Sequence, residues 1–393
     1  MTLLLIVIYV AFIGLGVPDS LIGSAWPAIY GEMDLPASAV SFITLLISGC
    51  TVLSSIFSSR ILNRFGTARV TAVSTAMTAV SLLGFSFAPN IFFMLPLAAV
   101  LGLGAGAIDS GLNNYVALHF KASHMNFLHA FYGIGVTLSP YLMSLALSNT
   151  GWRDGYRYAA LIQGAITLTV IISQPLWEKN SDIKGAEETV EAKNLSFLQM
   201  LKVPGLITAW IIMLATNAIE YAAGVWGGTY LVNSKGFSLE DGAAALALYY
   251  LGMALGRLLS GLLSGKVNTW LRIAVGISIV CVAVVVMLLP LPAFFAVVAL
   301  ALIGLGNGSV YPNFIHLTPK NFGEENSQAI MGSLIAFAYT GVMLAPPIVG
   351  FVTGLFGIDS YPIILLVLLL IMAAATTTFV LNLKKRNRPD TSV

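Results

Sequence analysis

The sequence divides into twelve long apolar stretches, and this repetition limits the possible folds more than any other feature. Each stretch has the roughly 20 mainly apolar residues that an α-helix needs to cross a membrane. Lipid admits only helices or closed barrels, and these stretches lack the alternation of barrel strands. We therefore predict twelve membrane-spanning helices. They lie near residues 3–30, 37–59, 70–88, 91–119, 125–149, 156–176, 205–232, 239–264, 273–289, 293–317, 327–354 and 360–383.

The overall composition agrees with a membrane protein. Of 393 residues, 58% are hydrophobic and only 9% are charged, and the mean hydropathy is +0.89. Soluble domains contain about 45–50% apolar and about 25% charged residues, so a soluble fold could not bury this much apolar surface. The formal net charge is +2, and the basic residues are scattered over short loops. This distribution gives no surface for nucleic acid.

One hydrophilic stretch of substantial length, Glu178 to Lys202, separates the sixth and seventh segments. It divides the chain into a six-helix bundle at 1–177, a linker at 178–203, a second bundle at 204–383 and a tail at 384–393. Fifteen of the 19 Lys and Arg residues fall on the same side as this linker, and three fall on the other side. The positive-inside rule therefore predicts a cytoplasmic linker and cytoplasmic termini. We expect the chain to lie in the inner membrane of a bacterium.

The two halves also resemble each other. The matching positions are Gly102, Gly104 and Gly106 with Gly304, Gly306 and Gly308, and Ala130, Phe131, Gly135 and Pro140 with Ala336, Phe337, Gly341 and Pro346. Asp19 of the first segment lies opposite Glu220 of the seventh at a similar offset. Internal repeats of this kind are typical of secondary transporters, whose solute site lies between the repeats near the middle of the membrane. We expect a cavity between segments 1, 4, 5, 7, 10 and 11.

Three acidic residues, Asp19, Asp109 and Glu220, lie within apolar segments. An ionised carboxylate at the centre of a bilayer costs at least about 2.5–3.5 kcal/mol, so such residues usually face a wet cavity. The proton affinity of a carboxyl group depends on the water and charges around it, and a cavity that opens alternately to two sides changes both. We expect these three acids to couple transport to a proton gradient. A purely structural hydrogen-bonding role is the alternative.

Polar and aromatic side chains accompany the acids in otherwise aliphatic segments. Amides donate and accept hydrogen bonds, and aromatic faces cover the C–H face of a sugar ring, so the mixture suits a neutral polyol. The predicted solute-binding residues are Trp26, Asn113, Asn114, Tyr132, Gln163, Asn217, Glu220, Trp226, Tyr311, Asn313 and Tyr339. Each has an alternative role, because Trp and Tyr are common at membrane interfaces and Asn often stabilises helix packing.

No residue pattern indicates catalysis, a metal site or a cofactor. The glycines from Gly102 onward lie in mid-membrane and no Walker lysine follows them, so we expect no ATP-driven mechanism. Cys50 and Cys281 lie within apolar segments and are interpreted as packing residues. The four histidines lack the spacing of metal ligands, and His129 is a candidate proton sensor.

The loop between the second and third segments resembles a known signature. Asn63, Arg64, Gly66 and Arg69 are similar to the Gly-x-x-x-Asp-Arg-x-Gly-Arg-Arg motif of the major facilitator superfamily, with Asn63 in place of the acid. The resemblance extends over essentially the whole chain. It implies an all-α membrane protein with the major facilitator fold, twelve helices in two six-helix halves. It also implies that this loop takes part in gating.

Within that superfamily, Ile108 to Asn113 is similar to the Leu-Glu-Thr-x-x-Asn element of the fucose, galactose and glucose proton symporters. The resemblance implies that Asp109 and Asp19 serve sugar binding and proton coupling, with sodium as an alternative coupling ion. We expect a monomer that takes up a monosaccharide by alternating access, in contact with membrane lipid. A proton-coupled exporter of drugs or small metabolites and a non-transporting solute sensor are the alternatives.

Overall fold

In the computed structural model, residues 2–120, 122–178, 195 and 197–386 are described. These residues form twelve helices long and apolar enough to cross a membrane, and they contain no β-strand, so the all-α prediction is confirmed. The helices are α1 (Thr2–Asp19 and Leu21–Glu32), α2 (Val40–Phe65), α3 (Thr67–Ser86), α4 (Ile91–His119), α5 (Ala122–Asn149), α6 (Trp152–Ile172), α7 (Leu206–Lys235), α8 (Leu239–Leu262), α9 (Thr269–Leu288), α10 (Phe294–Gly308 and Val310–His316), α11 (Glu324–Phe356) and α12 (Tyr361–Arg386).

Five helices, α3, α5, α6, α9 and α11, begin three or four residues earlier than the apolar segments predict. In three of them, α3, α6 and α9, the first turn contains an arginine that precedes the predicted apolar segment: Arg69, Arg153 and Arg272. Long basic side chains can extend towards water while their helix continues, so a charged residue marks the edge of the apolar stretch and not the end of the helix.

The outer surface of the helix bundle is strongly apolar. Phe92, Leu161 and Phe356 have 79%, 72% and 74% of their surface exposed. Large apolar side chains exposed to this extent over a whole bundle are stable against lipid and not against water. The surface therefore agrees with a protein that crosses the membrane many times.

Glycines bring pairs of helices into backbone contact in the same way in both halves. A Cβ atom at Gly102 of α4 would collide with a carbonyl oxygen of α2, and one at Gly304 of α10 would collide with a carbonyl oxygen of α8. In the same way, Gly135 of α5 lies against the backbone of α1, and Gly341 of α11 lies against the backbone of α7. Small residues permit such close approach in membranes. The repeat in the sequence is thus a repeat of helix packing.

Much of the predicted linker cannot be compared with the structure, because residues 179–194 and 196 lie outside the described part of the chain, as do those from 387 onward. A short helix, Gln174–Glu178, precedes this stretch and another, Phe197–Met200, follows it. The linker and the domain boundaries around it stay predictions.

α1 and α10 are each interrupted by one residue. α1 breaks at Ser20, two residues after Pro18, and α10 breaks at Ser309, three residues before Pro312. A proline lacks a backbone N–H, and its ring collides with the carbonyl group four residues earlier, so Pro312 weakens the helix at the interruption of α10, whereas the turn that Pro18 weakens lies before Ser20. The interruption in α1 directly follows Asp19, which therefore lies at an irregular turn.

The two halves touch at the end of the bundle that is predicted to face outward. Gly23 of α1 lies directly against the backbone of Gly224 in α7. Beyond this crossing, the hydroxyl group of Tyr30 donates a hydrogen bond of 2.7 Å to the side chain of Asn233. These contacts close the space between α1 and α7 on that side.

A methyl group at Gly23 should strain the crossing of α1 and α7. In Gly23→Ala the new Cβ overlaps the carbonyl oxygen of Gly224, and overpacking of this kind costs about 1–3 kcal/mol. We expect a lower thermal unfolding temperature of the purified protein. Gly31→Ala is the matched control, because Gly31 belongs to the same helix and a Cβ there meets no atom within 4 Å. Equal unfolding temperatures for the two variants would contradict the tight crossing.

Candidate functional site

A cavity of about 150 Å³ lies between the two halves. Its wall is formed by α1, α2, α4, α5, α7 and α11, so five of the six predicted helices contribute. α2 lines the cavity instead of the predicted α10. The polar lining residues are Asp19, Thr44, Ser48, Thr51, Asp109, Tyr132, Tyr221 and Tyr339. Two carboxyl groups, three phenols and three aliphatic hydroxyl groups therefore face the same space.

Asp19 reaches the cavity from the end of the first part of α1. The hydroxyl group of Tyr132 in α5 donates a hydrogen bond of 2.7 Å to Asp19 Oδ2. Both residues belong to the first half of the chain, and both line the cavity. The bond holds the carboxyl group at the cavity wall and leaves its other oxygen, Oδ1, for a solute or a proton.

Asp109 is held by one residue from each half. Asn113, one turn later on α4, donates from Nδ2 to Asp109 Oδ1 at 2.7 Å. From the second half, the hydroxyl group of Tyr339 in α11 donates to Asp109 Oδ2 at 3.1 Å. The carboxyl group of Asp109 is thus a direct link between α4 and α11, and both of its oxygen atoms accept a hydrogen bond.

The third acid, Glu220, forms an ion pair. Arg257 NH2 of α8 lies 3.1 Å from Glu220 Oε1 and 3.4 Å from Oε2. The hydroxyl group of Tyr249, also in α8, donates to the backbone carbonyl of Glu220 at 2.9 Å. Neither Glu220 nor Arg257 is among the residues that line the cavity. A paired guanidinium neutralises this carboxylate without a proton, so its situation differs from that of Asp19 and Asp109.

Two predicted tryptophans make internal contacts away from the cavity. The indole N–H of Trp26 donates to the carbonyl oxygen of Ala37 at 2.7 Å, and that of Trp226 donates to Pro346 at 3.1 Å. Both side chains are fully buried. A buried indole needs a partner for its N–H, and the backbone supplies one here. These contacts give the two residues a packing role.

Gln163 and Asn313 are also occupied within the protein. The amide of Gln163 donates to the hydroxyl group of Thr78 at 2.7 Å, and the amide of Asn313 donates to Ser260 Oγ at 2.6 Å. Both amides join neighbouring helices of one half, α3 to α6 and α8 to α10. Both residues lie outside the cavity, and their amides form hydrogen bonds between helices.

The remaining predicted solute-binding residues are spread over several environments. Asn217 donates to the carbonyl of Met213 in its own helix at 2.8 Å. Asn114 is exposed and Tyr311 is half-buried, and neither lines the cavity. The cavity itself therefore brings together Asp19, Asp109 and two predicted tyrosines.

Comparison with known proteins identifies the family. Residues 8–341 match the model of the Major Facilitator Superfamily. The chain belongs to this superfamily. It is 22% identical over 343 residues to the cis,cis-muconate transport protein of Acinetobacter baylyi, covering 83% of this chain and 81% of that protein. It is 21% identical to a probable sulfoacetate transporter of Cupriavidus necator, covering 63% of this chain and 60% of that protein.

Solved structures of superfamily members have the same fold. The nucleoside transporter NupG matches with a TM-score of 0.75 at 11% identity, covering 96% of this chain and 98% of that chain. A bacterial homologue of the human lysosomal transporter Spinster matches with a TM-score of 0.74 at 12% identity, covering 100% of this chain and 99% of that chain. This chain is therefore a multi-pass membrane transporter and not an enzyme. The comparisons do not place it in the narrower group of sugar proton symporters that the α4 motif resembles.

In this superfamily member, the loop that resembles the family signature joins α2 to α3. Gly66 forms the turn with a φ of +78°, a conformation that glycine adopts at little cost. Arg64 and Arg69 are exposed, and the guanidinium of Arg64 lies 5.4 Å from the centre of the Phe65 ring. The side chain of Asn63 lies outside the described part of the structure. A role of these four residues in gating stays a prediction.

None of the described residues that line the transporter's cavity is a histidine or a cysteine. Among the described residues, no group of three or more His, Cys, Asp or Glu side chains is arranged to hold a metal ion. Cys50 and Cys281 are free thiols. The ring of His129 packs edge-on against Phe12 with the ring centres 5.9 Å apart. Asp19 and Asp109 are the acidic groups that line the cavity.

Sequence reasoning missed the partner of Glu220 and the hydroxyl groups of α2. Arg257 lies inside an apolar segment, and a buried cation of this kind is itself a signal that an anionic partner lies on another helix. Thr44, Ser48 and Thr51 face the cavity from successive turns of α2. Ser and Thr are frequent in membrane helices, so their type alone does not reveal this position.

Removal of one partner from the Glu220–Arg257 pair should destabilise the transporter more than removal of both. The pair is partly buried, with 12% of the Glu220 side chain and 23% of the Arg257 side chain exposed. Breaking a fully buried ion pair leaves an uncompensated charge and costs about 3–5 kcal/mol, so we expect a cost at or below the lower end of that range, which a neutral pair avoids. We expect Arg257→Gln to lower the thermal unfolding temperature strongly and Glu220→Gln/Arg257→Gln to recover much of the loss. A double variant no more stable than Arg257→Gln would show that the pair does not stabilise the fold.

Proposed function

We propose that this transporter carries a small neutral solute with several hydroxyl groups, in the simplest case a monosaccharide, into the cell together with a proton. The proposal places it in the inner membrane of a bacterium, as a monomer with both termini in the cytoplasm. The observation that carries the proposal is that Asp19 and Asp109 line one cavity, each held by a tyrosine hydroxyl group.

The two tyrosine hydrogen bonds respond differently to a movement between the halves. Tyr132 and Asp19 belong to the same half, so their bond survives a rigid-body rotation. Tyr339 and Asp109 belong to different halves, so their bond breaks when α4 and α11 separate. Hydrogen-bond donors favour the ionised form of a carboxyl group. The balance between the ionised and protonated forms of Asp109 therefore changes with the conformation of the transporter, as coupling requires.

The chemistry of the cavity favours a neutral, hydroxylated solute. Its lining contains no Lys, Arg or His side chain, while it contains two carboxyl groups and six hydroxyl groups. An anion would meet two acids there without a compensating cation. Carboxyl oxygens accept hydrogen bonds from solute hydroxyl groups, and Tyr221 and Tyr339 provide aromatic surface together with further donors.

Asp109→Asn tests the proposal, because it keeps the size of the side chain and removes the proton site. Vesicles that contain the purified protein are given an inward proton gradient. They are also given a labelled sugar, which is the hexose or pentose that binds best to the purified protein. We expect vesicles with the wild type to accumulate the sugar. In vesicles with Asp109→Asn, uptake should stop when the sugar concentrations inside and outside are equal. Exchange of labelled for unlabelled sugar should survive, because it needs no net movement of protons.

Asp34→Asn is the control for the loss of a carboxylate. Asp34 is exposed, outside the cavity, and has a φ of +52° that asparagine also tolerates. It should accumulate sugar as the wild type does. Accumulation by Asp109→Asn at the wild-type level would contradict proton coupling through Asp109. Loss of solute from preloaded vesicles under the opposite gradient would indicate an exporter, and binding without flux would indicate a sensor.

The tyrosine pair gives a second, independent test. Tyr339→Phe removes the hydrogen bond between the halves, and Tyr132→Phe removes a bond of the same kind within one half. We expect Tyr339→Phe to move the pH at which uptake is half-maximal. Tyr132→Phe should weaken solute binding and change that pH less. Equal changes of the pH profile in the two variants would contradict a special role for the link between α4 and α11.

A small carboxylate is the second candidate solute. Two relatives are named for muconate and sulfoacetate, which are organic acids. Arg257 uses only NH2 for both contacts with Glu220, so NH1 can bind an incoming carboxylate. Binding is compared by the thermal unfolding temperature of the purified protein with each solute added. Stabilisation by muconate and not by any hexose or pentose would select this candidate over the monosaccharide.

A further inference from the structure

A second cavity, of about 360 Å³, lies at the predicted cytoplasmic end of the second half. Its wall is formed by the connection from α8 to α9 and by residues 316–320 at the end of α10 and beyond. It shares no lining residue with the central cavity. The solute pathway discussed above therefore does not account for it.

The charged residues that line this second cavity are all basic. Lys266 and Arg272 come from the α8–α9 side, and Lys320 comes from the opposite side together with His316. No Asp or Glu is among the described lining residues. Three fixed positive charges around one small space repel each other, and an anion of two or more negative charges removes that repulsion.

Arg272 is the most buried of these residues, with only 8% of its surface exposed. Its NH1 donates to the carbonyl oxygen of Ser260 at 2.6 Å, and its NH2 donates to Thr269 Oγ1 at 3.0 Å. Its Nε has no hydrogen-bond partner within the described structure. All its contacts are to neutral groups, so the charge is buried without a counter-ion, which is costly unless an anion comes close.

The first turn of α9 adds a further attraction for anions. Asn268, Thr269 and Trp270 at this helix start line the cavity. Asn268 caps the helix by accepting a hydrogen bond from the backbone N–H of Trp270 at 2.8 Å. Other N–H groups of a first turn lack partners within their helix, and the positive end of the helix dipole lies there. A helix start of this kind is a common site for phosphate groups.

We propose that this cavity binds a phosphate group, either a soluble phosphate or the headgroup of an anionic lipid. Lys266 and Lys320 bind it from opposite walls, and Arg272 with the first turn of α9 forms the base. A bound phosphate group therefore ties the α8–α9 connection to the segment that follows α10. The site regulates how these two cytoplasmic connections move relative to each other, and it does not depend on which solute the central cavity carries.

The test uses Lys266→Gln/Lys320→Gln, because replacement of the buried Arg272 risks loss of folding. Inorganic phosphate is titrated onto the purified full-length protein, and binding is followed by the thermal unfolding temperature. Retention of phosphatidylglycerol and of phosphatidylcholine is measured by native mass spectrometry. Loss of two charge-assisted contacts should weaken binding of the preferred probe by about tenfold or more.

Arg60→Gln/Arg64→Gln is the matched control. It removes two exposed positive charges from the same predicted side of the membrane, in the first half and outside the cavity. Phosphate binding that is lost only in the lysine variant would identify a soluble phosphate as the ligand. Selective retention of phosphatidylglycerol that is lost only in the lysine variant would identify a lipid headgroup. If wild type and lysine variant bind both probes equally, or if both double variants lose binding equally, the proposal is wrong.

Discussion

Water does not reach the hydrocarbon interior of a membrane, so every peptide N–H and C=O there needs a partner from the protein. This requirement makes each spanning segment a helix. Lipid also removes the hydrophobic attraction between helices, and close backbone contact takes its place. Glycines such as Gly102 and Gly304 provide that contact in matched positions of the two halves. Polar side chains from both halves meet at the cavity between them.

The same constraint gives the acidic residues different roles. Glu220 faces a guanidinium, so its charge is balanced by the protein itself. Asp19 and Asp109 have only neutral donors, from phenol and amide groups. Their negative charge can be cancelled by a proton, in the space that a solute would occupy. The chain thus separates an ion pair, whose residues are not among those that line the cavity, from two lining acids without a cationic partner in the described structure.

The number of helices and the three acids within the spanning helices could be predicted from the sequence, because lipid penalises charge strongly enough for uncharged stretches and isolated acids both to stand out. The contacts of individual side chains could not. A helix that is apolar on all sides has no hydrophobic period to show which face points inward. The sequence therefore does not distinguish Trp26 and Gln163, which pack between helices, from residues that line the cavity. The pairing of Glu220 with Arg257 could not be predicted either, because it depends on the rotation and depth of two helices. The break at Ser20 was equally hidden, since membrane helices often contain a proline without breaking.

At the crossing of Gly23 and Gly224 the backbones of α1 and α7 touch directly, without a side chain between them. This crossing can serve as a fulcrum. Asp19 lies four residues from it, or about 6 Å along a helix, while Leu4 lies just over five turns away, at about 28 Å. When the two parts of α1 move together, a tilt about this point displaces the N-terminal end of α1, which is predicted to be cytoplasmic, more than four times as far as Asp19. The cavity can then open at that predicted cytoplasmic end while the acid hardly moves.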